Sequence, residues 1–161
     1  MENVLIVDHE KCNGCQYCML ACSMAHEGYV QMSKSRVKVY KLESEALGIP
    51  MLCEHCEEPP CIPACPVDAI SKDPETGVVS VIAERCTGCQ LCLPACPYSA
   101  IRIDPDSNLA LICNLCGGYP ECAKACLPEA ITWVEAKPST IWRKNHCADK
   151  RVEAMDRLLE M

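Results

Sequence analysis

Cys86-Thr87-Gly88-Cys89-Gln90-Leu91-Cys92-Leu93-Pro94-Ala95-Cys96-Pro97 is the stretch from which the rest of this chain is read. Its spacing, C-x2-C-x2-C-x3-C followed by proline, is the run that ligates [4Fe–4S] cubanes. Three thiolates from one tight loop clasp three irons of a cube, while the next cysteine is carried out of reach as the chain turns helical and ligates a different cluster. Working outward, Cys12, Cys15, Cys18 and Cys22 repeat the spacing. Cys53, Cys56, Cys61, Cys65 and Cys113, Cys116, Cys122, Cys126 keep its outline with longer middle loops, Glu57 to Pro60 and Gly117 to Glu121. Sixteen of the seventeen cysteines are used in this way, so four [4Fe–4S] clusters are expected, each quartet giving three ligands to one cluster and one to its partner.

Zinc is the competing metal, because it also uses C-x2-C pairs. A tetrahedral zinc site needs two pairs well apart in sequence, and it leaves the third cysteine of each loop and the trailing C-x3-C without a role. A disulfide scaffold fits no better, since the cysteine count is odd and motifs this dense suit a reduced compartment.

Composition agrees with a core built partly of cofactor. The chain has 161 residues, no Phe and only 4% aromatic residues, so its apolar side chains alone make a thin interior. The clusters are expected to fill and staple it, and the iron-free chain to be largely unfolded. A net charge of −7 with no basic run excludes a nucleic-acid footprint. Met1 to Val7 enters an apolar strand with no basic region or cleavage site, and no stretch reaches the ~18 apolar residues of a membrane helix, so a cytoplasmic protein without a transmembrane segment is expected. There is no phosphate loop, dinucleotide fingerprint or nucleophile with a base nearby in sequence, so no catalytic residue is assigned and the chain is not expected to be an enzyme on its own.

Between Cys65 and Cys86 lie Pro66-Val67-Asp68-Ala69-Ile70-Ser71, the turn signal Asp73-Pro74-Glu75-Thr76-Gly77 and the β-branched run Val78-Val79-Ser80-Val81-Ile82. This predicts a short β-hairpin joining the second and third quartets. Cys65-Pro66 and Cys96-Pro97 both carry a proline that stops a short helix. The first and fourth quartets are then left for each other, the outer half enclosing the inner. The expected fold is α+β: two nested ferredoxin-like units of short strands and helices, rich in irregular structure, plus a C-terminal helix. Residues 1–52 are read as the first part of the outer half, 53–103 as the inner unit, 104–135 as the second part of the outer half, and 136–161 as the tail.

On these motifs the chain resembles, over nearly its whole length, the four-cluster ferredoxin-type electron-transfer subunits that accompany molybdenum, tungsten, nickel and related redox enzymes. The resemblance implies four ligand sets: Cys12, Cys15, Cys18 with Cys126; Cys113, Cys116, Cys122 with Cys22; Cys53, Cys56, Cys61 with Cys96; and Cys86, Cys89, Cys92 with Cys65. Ala21-Cys22-Ser23-Met24-Ala25-His26-Glu27-Gly28, Ser35-Arg36-Val37 and Cys113-Asn114-Leu115-Cys116-Gly117-Gly118 are similar to the leaderless branch of that family. That branch includes small subunits of tungsten aldehyde oxidoreductases and of related benzoyl-CoA reductase complexes, and partners of carbon monoxide dehydrogenase. It implies a relay of single electrons between a large catalytic subunit, first of all a tungsten or molybdenum pterin enzyme, and a further acceptor or donor. A nickel enzyme (carbon monoxide dehydrogenase or hydrogenase) as partner and a free-standing polyferredoxin are the alternatives.

The remaining segments are not ligands. Val37, Val39 and Leu42 predict a strand within 24–52, read as a hairpin covering the first cluster or as a docking surface. His26 is read as a hydrogen-bonded loop histidine. Val152, Met155, Leu158 and Leu159 predict the buried stripe of a terminal helix, which caps this chain or docks on a larger subunit. Cys147, on the approach to that helix, is read as a plain thiol.

Overall fold

Val4 to Val7 is an unbroken aliphatic run, the pattern of a strand covered on both faces, and with Asn3 it forms β1 (Asn3–Val7), whose last four residues are buried. The computed structural model describes residues 2–42 and 47–160. β1 pairs antiparallel with a strand far along the chain, Ile131–Glu135, with Asn3 opposite Glu135 and Val7 opposite Ile131. Between them lie β2 (Lys38–Leu42) paired with β3 (Leu47–Met51), β4 (Ile70–Lys72) with β5 (Val79–Val81), and β6 (Arg102–Ile103) with β7 (Ala110–Leu111), making Ile131–Glu135 β8. The hairpin expected between the second and third quartets is β4–β5. Its Asp73 carboxylate accepts the Glu75 and Thr76 amides at 2.9 and 2.6 Å, and Gly77, at φ 69°, closes the turn by donating to the Asp73 carbonyl. The β6–β7 turn repeats the device: Asp104 accepts the Asp106 amide at 3.1 Å and Asn108, at φ 59°, closes it.

Four α-helices complete the chain: α1 (Tyr17–Glu27), α2 (Cys92–Ala95), α3 (Glu121–Lys124) and α4 (Pro138–Leu159). α1 is the longest of the three that carry cluster cysteines: it continues through Cys22 and Ser23 and runs on to a left-handed C-cap at Gly28, φ 75°. His26 therefore lies in the last turn of a helix, not in a loop.

The core has two main parts. Leu5, Val7, Val37, Val39, Leu52, Leu115 and Ile131 belong to one, drawn from both ends of the cysteine-bearing sequence. Ile70, Val79, Ile101, Ala110 and Ile112 belong to the other, drawn from the middle. The chain thus leaves the outer core after Leu52, builds the inner one, and returns at Cys113.

α4 packs on β1 and β3 of its own chain. Its buried face is Cys147, Ala148, Arg151, Ala154 and Met155, against Val4 and Ile6 of β1 and Ile49 and Met51 of β3. This corrects the predicted stripe: Met155 belongs to it, but Leu159 is 77% exposed, and a charged residue, Arg151, is 1% exposed at its centre. Arg151 pairs with the buried Glu54 carboxylate and donates to the Pro50 carbonyl at 3.1 Å, so its charge and its N–H groups are met inside the protein. Hydropathy alone assigns Arg151 to the wrong face.

Candidate metal centres

The loop 12–18 leads into α1, and the loop 86–92 leads into α2, with matching backbone. Gly14 and Gln16 have φ 71° and 65°, and Gly88 and Gln90 have φ 68° and 63°. Left-handed residues at these two places curl each loop back on itself. Glycine is required at 88: a Cβ there lies 2.5 Å from the Asn108 carbonyl oxygen. Gly48 of β3 lies against the first loop as closely, its added Cβ 2.7 Å from Cys12 Sγ, so β2–β3 does cover this loop.

Each loop receives a fourth thiol from elsewhere. Burial pushes Cys18 up to about 12, and the nearby Cys12, Cys126 and Cys15 thiols add to it. Burial likewise pushes Cys113 up to about 12, with Cys22 and Cys116 adding. Cys61 is pushed up to about 11 by burial, then by Cys96. Cys92 is raised by burial, then by Cys86, Cys89 and Cys65. Cys65, Cys86, Cys89 and Cys92 also line one cavity with Ile70, Ile103 and Ala110. In each case a thiol of another quartet, Cys126, Cys22, Cys96 or Cys65, is among the neighbours that act on the loop's thiols. Buried thiols of this kind are protonated without metal, so iron binding displaces protons.

These groups also neighbour one another in series. Cys18 acts on Cys122, joining the 12–15–18–126 group to the 113–116–122–22 group. Cys113 acts on Cys53, and Cys92 on Cys61, joining the second group to 53–56–61–96 and that to 86–89–92–65. Cys15 and Cys89, in the two end groups, are exposed.

The fourth cysteines are held by a repeated backbone device. Asp68, Ser99 and Glu129, each three residues beyond Cys65, Cys96 and Cys126, have φ 49°, 45° and 54°. The reversal turns amides back on the sulfur: Ala69, Ala100 and Ile131 donate to Cys65, Cys96 and Cys126 at 3.3, 3.4 and 3.2 Å. At Cys65, burial acts to raise the thiol, but the amides of Val67, Ala69 and Ile70 outweigh it and hold it below the usual range. Cys22 departs from the pattern because α1 continues through it, and its sulfur accepts the Arg36 amide at 3.3 Å instead.

Two observations test the fit to iron–sulfur clusters. Among the described residues, no three Cys, His, Asp or Glu side chains converge closely enough to hold a single metal ion. That spread suits a cubane, whose thiolates sit on separate irons, better than one zinc. Among the described residues, two buried side-chain nitrogens lack a partner, His55 Nε2 and Arg36 Nη1. Both residues adjoin quartet cysteines: the His55 amide donates to Cys53 Sγ at 3.4 Å, and the Arg36 amide to Cys22 Sγ. Sulfide and thiolate sulfur are the acceptors such donors lack, so the residues present fit the group.

His55 is neutral here, its pKa lowered to about 4 by burial, then by Lys144 and Lys72. His26 Nε2 lies 3.7 Å from Cys116 Sγ. Cys147 lies inside α4, not on the approach to it, packed with Val4, Ile6 and Val134 away from all four groups. His55, Arg36 and the Arg151–Glu54 pair escape a reading of spacing. The one sequence signal is that His55 stands between two cysteines, in Cys53-Glu54-His55-Cys56.

Residues 44–136 match the 4Fe-4S dicluster domain family, and residues 9–25 match a 4Fe-4S binding domain. The chain is 38% identical over 122 residues to the polyferredoxin-like subunit of an aliphatic sulfonate oxidoreductase from Pyrococcus furiosus, covering 76% of this chain and 70% of that one. It is 35% identical over 126 residues to the beta subunit of an NADH-dependent phenylglyoxylate dehydrogenase from Aromatoleum evansii, with 77% of this chain but only 28% of the relative covered. Among solved structures, a chain of the BamBC active site complex of benzoyl coenzyme A reductase superposes with a TM-score of 0.50 at 25% identity, over 99% of this chain and 97% of that chain. Among the described residues, no helix is long and apolar enough to cross a membrane. With sixteen cysteines in four quartets and the dicluster match over more than half its length, the chain belongs to the 4Fe-4S dicluster, ferredoxin-like family of electron-transfer subunits.

Proposed function

We propose that Cys12, Cys15, Cys18 and Cys126 hold the first cluster, Cys113, Cys116, Cys122 and Cys22 the second, Cys53, Cys56, Cys61 and Cys96 the third, and Cys86, Cys89, Cys92 and Cys65 the fourth. The observation that supports this is that Cys65 lines one cavity with Cys86, Cys89 and Cys92, and Cys126 likewise acts on Cys18 across the chain. The units are nested, 53–103 inside 1–52 and 104–135 with the tail from 136, and β6–β7 draws Ala110 and Ile112 onto the inner core. When bound, the clusters supply one-electron transfer. The chain's own residues set their series, leave none of the inner thiols exposed, and leave Cys15 and Cys89 exposed at the two ends, where a donor and an acceptor meet them.

The finer reading is a cytoplasmic subunit relaying electrons for a large catalytic subunit, a tungsten or molybdenum pterin enzyme of the aldehyde oxidoreductase type. Its support is the sequence resemblance together with similarity to an oxidoreductase subunit and to a chain of a reductase active site complex. Purification of the native complex followed by metal analysis tests it. Tungsten or molybdenum near one per large subunit is expected; nickel there, or no copurifying large subunit, overturns it.

A further inference from the structure

The two unpartnered donors are not scattered over the molecule. His55 lies in the loop of the 53–56–61–96 group. Arg36 lies against the 113–116–122–22 group, its amide on Cys22 Sγ and its charge acting on Cys113. These are the two inner groups of the series.

The His55 ring is locked for a purpose that nothing in the protein serves. The Val79 amide donates to Nδ1 at 3.0 Å, so Nδ1 carries no proton and Nε2 carries it. The residue is 6% exposed, and Nε2 is buried with no acceptor. The backbone is held at φ 48°, a region that costs a non-glycine residue energy and persists only where its surroundings impose it. A buried N–H without an acceptor is costly as well. Arg36 Nη1 is the same case with a permanent positive charge.

We infer that His55 Nε2–H and the Arg36 guanidinium donate to sulfur of the two inner clusters and hold those two at higher reduction potential than they otherwise have, so that electrons rest in the middle of the relay. The inference rests on the ligand sets proposed above. The physical reason is that one-electron reduction adds negative charge to a thiolate-ligated group, and a donor or cation at its sulfur favours the more negative form. Two further charges act on Cys56 and oppose each other: Lys144 acts in the same sense as the donors, and Glu54, although ion-paired with Arg151 and Lys144, acts against them.

The test is an anaerobic redox titration followed by EPR on the full-length, cluster-loaded protein. In His55→Leu the reduction equilibrium of the cluster assigned to Cys53, Cys56, Cys61 and Cys96 is expected to fall about tenfold, 59 mV for a one-electron couple. His55→Gln, which can both accept from Val79 and donate, is expected to recover most of it. Arg36→Met is expected to lower the cluster of Cys113, Cys116, Cys122 and Cys22, with Arg36→Lys intermediate. Full iron content with unchanged or raised inner potentials overturns the inference. Should His55→Leu lose iron, wild-type protein labelled with 15N-histidine decides it: a hyperfine coupling that disappears in His55→Gln supports the inference, and no such coupling overturns it. Failure of the ligand sets themselves reads differently, because Cys96→Ser then removes the signals of its own quartet rather than those of the 53–56–61 cluster.

Discussion

Cys65 sits in the second quartet by sequence and with Cys86, Cys89 and Cys92 in space. Cys65→Ser is therefore expected to damage the cluster of the third quartet, and Cys22→Ser that of the fourth, read as loss of about four irons each and as the identity of the vanished EPR signal. Damage confined to each residue's own quartet contradicts the nested sets. Cys147→Ser is expected to leave the iron count unchanged, because this thiol packs among Val4, Ile6 and Val134. Gly88→Ala is expected to cost at least ~1–3 kcal/mol and to loosen the 86–89–92–65 cluster first. It adds strain at φ 68° and a contact of 2.5 Å with the Asn108 carbonyl, and rapid selective bleaching under mild chelation is the measurement.

At the scale of elements, α4 is tied down by one charged residue. Arg151 and Glu54 are 1% and 6% exposed, so removing either alone leaves a buried charge without its main partner. Arg151→Met is expected to destabilise the loaded protein by ~3–5 kcal/mol in urea unfolding, toward the lower figure because Lys144 stays within reach of Glu54. Arg151→Met combined with Glu54→Leu is expected to cost less than the two changes summed. A cost equal to the sum would mean the two side chains act independently. Glu54 stands next to His55, so this pair also fixes the loop that carries Cys53 and Cys56.

For the whole molecule, the interior is shared between side chains and cofactor. Iron-loaded protein is expected to hold ~16 irons and ~16 sulfides, four cubanes' worth. Chelation is expected to abolish cooperative unfolding, because the buried thiols of both cores, Cys12, Cys18, Cys22, Cys113 and Cys122 in one and Cys61 and Cys92 in the other, lose the groups they close around. A sharp urea transition in the iron-free chain would falsify the view that clusters complete the core, and a plateau near twelve irons would leave one group vacant.

The cofactor type, the count of four and the β4–β5 hairpin are legible in the sequence because cluster ligation is a local spacing code, and because Asp-Pro-Glu-Thr-Gly and Cys-Pro are local stop signals. The β1 strand is legible for a similar reason, an unbroken aliphatic run. Other features depend on contacts between residues distant in sequence. Which face of α4 is buried was decided by β1, β3 and a carboxylate at position 54, not by the helix's own periodicity. The continuation of α1 through Cys22 moved the amide that meets that sulfur to Arg36. The two buried side-chain donors without a partner, on residues whose amides meet Cys53 and Cys22, exist only once the chain has folded back from Leu52 to Cys113, since no spacing in one dimension encodes a burial without a partner.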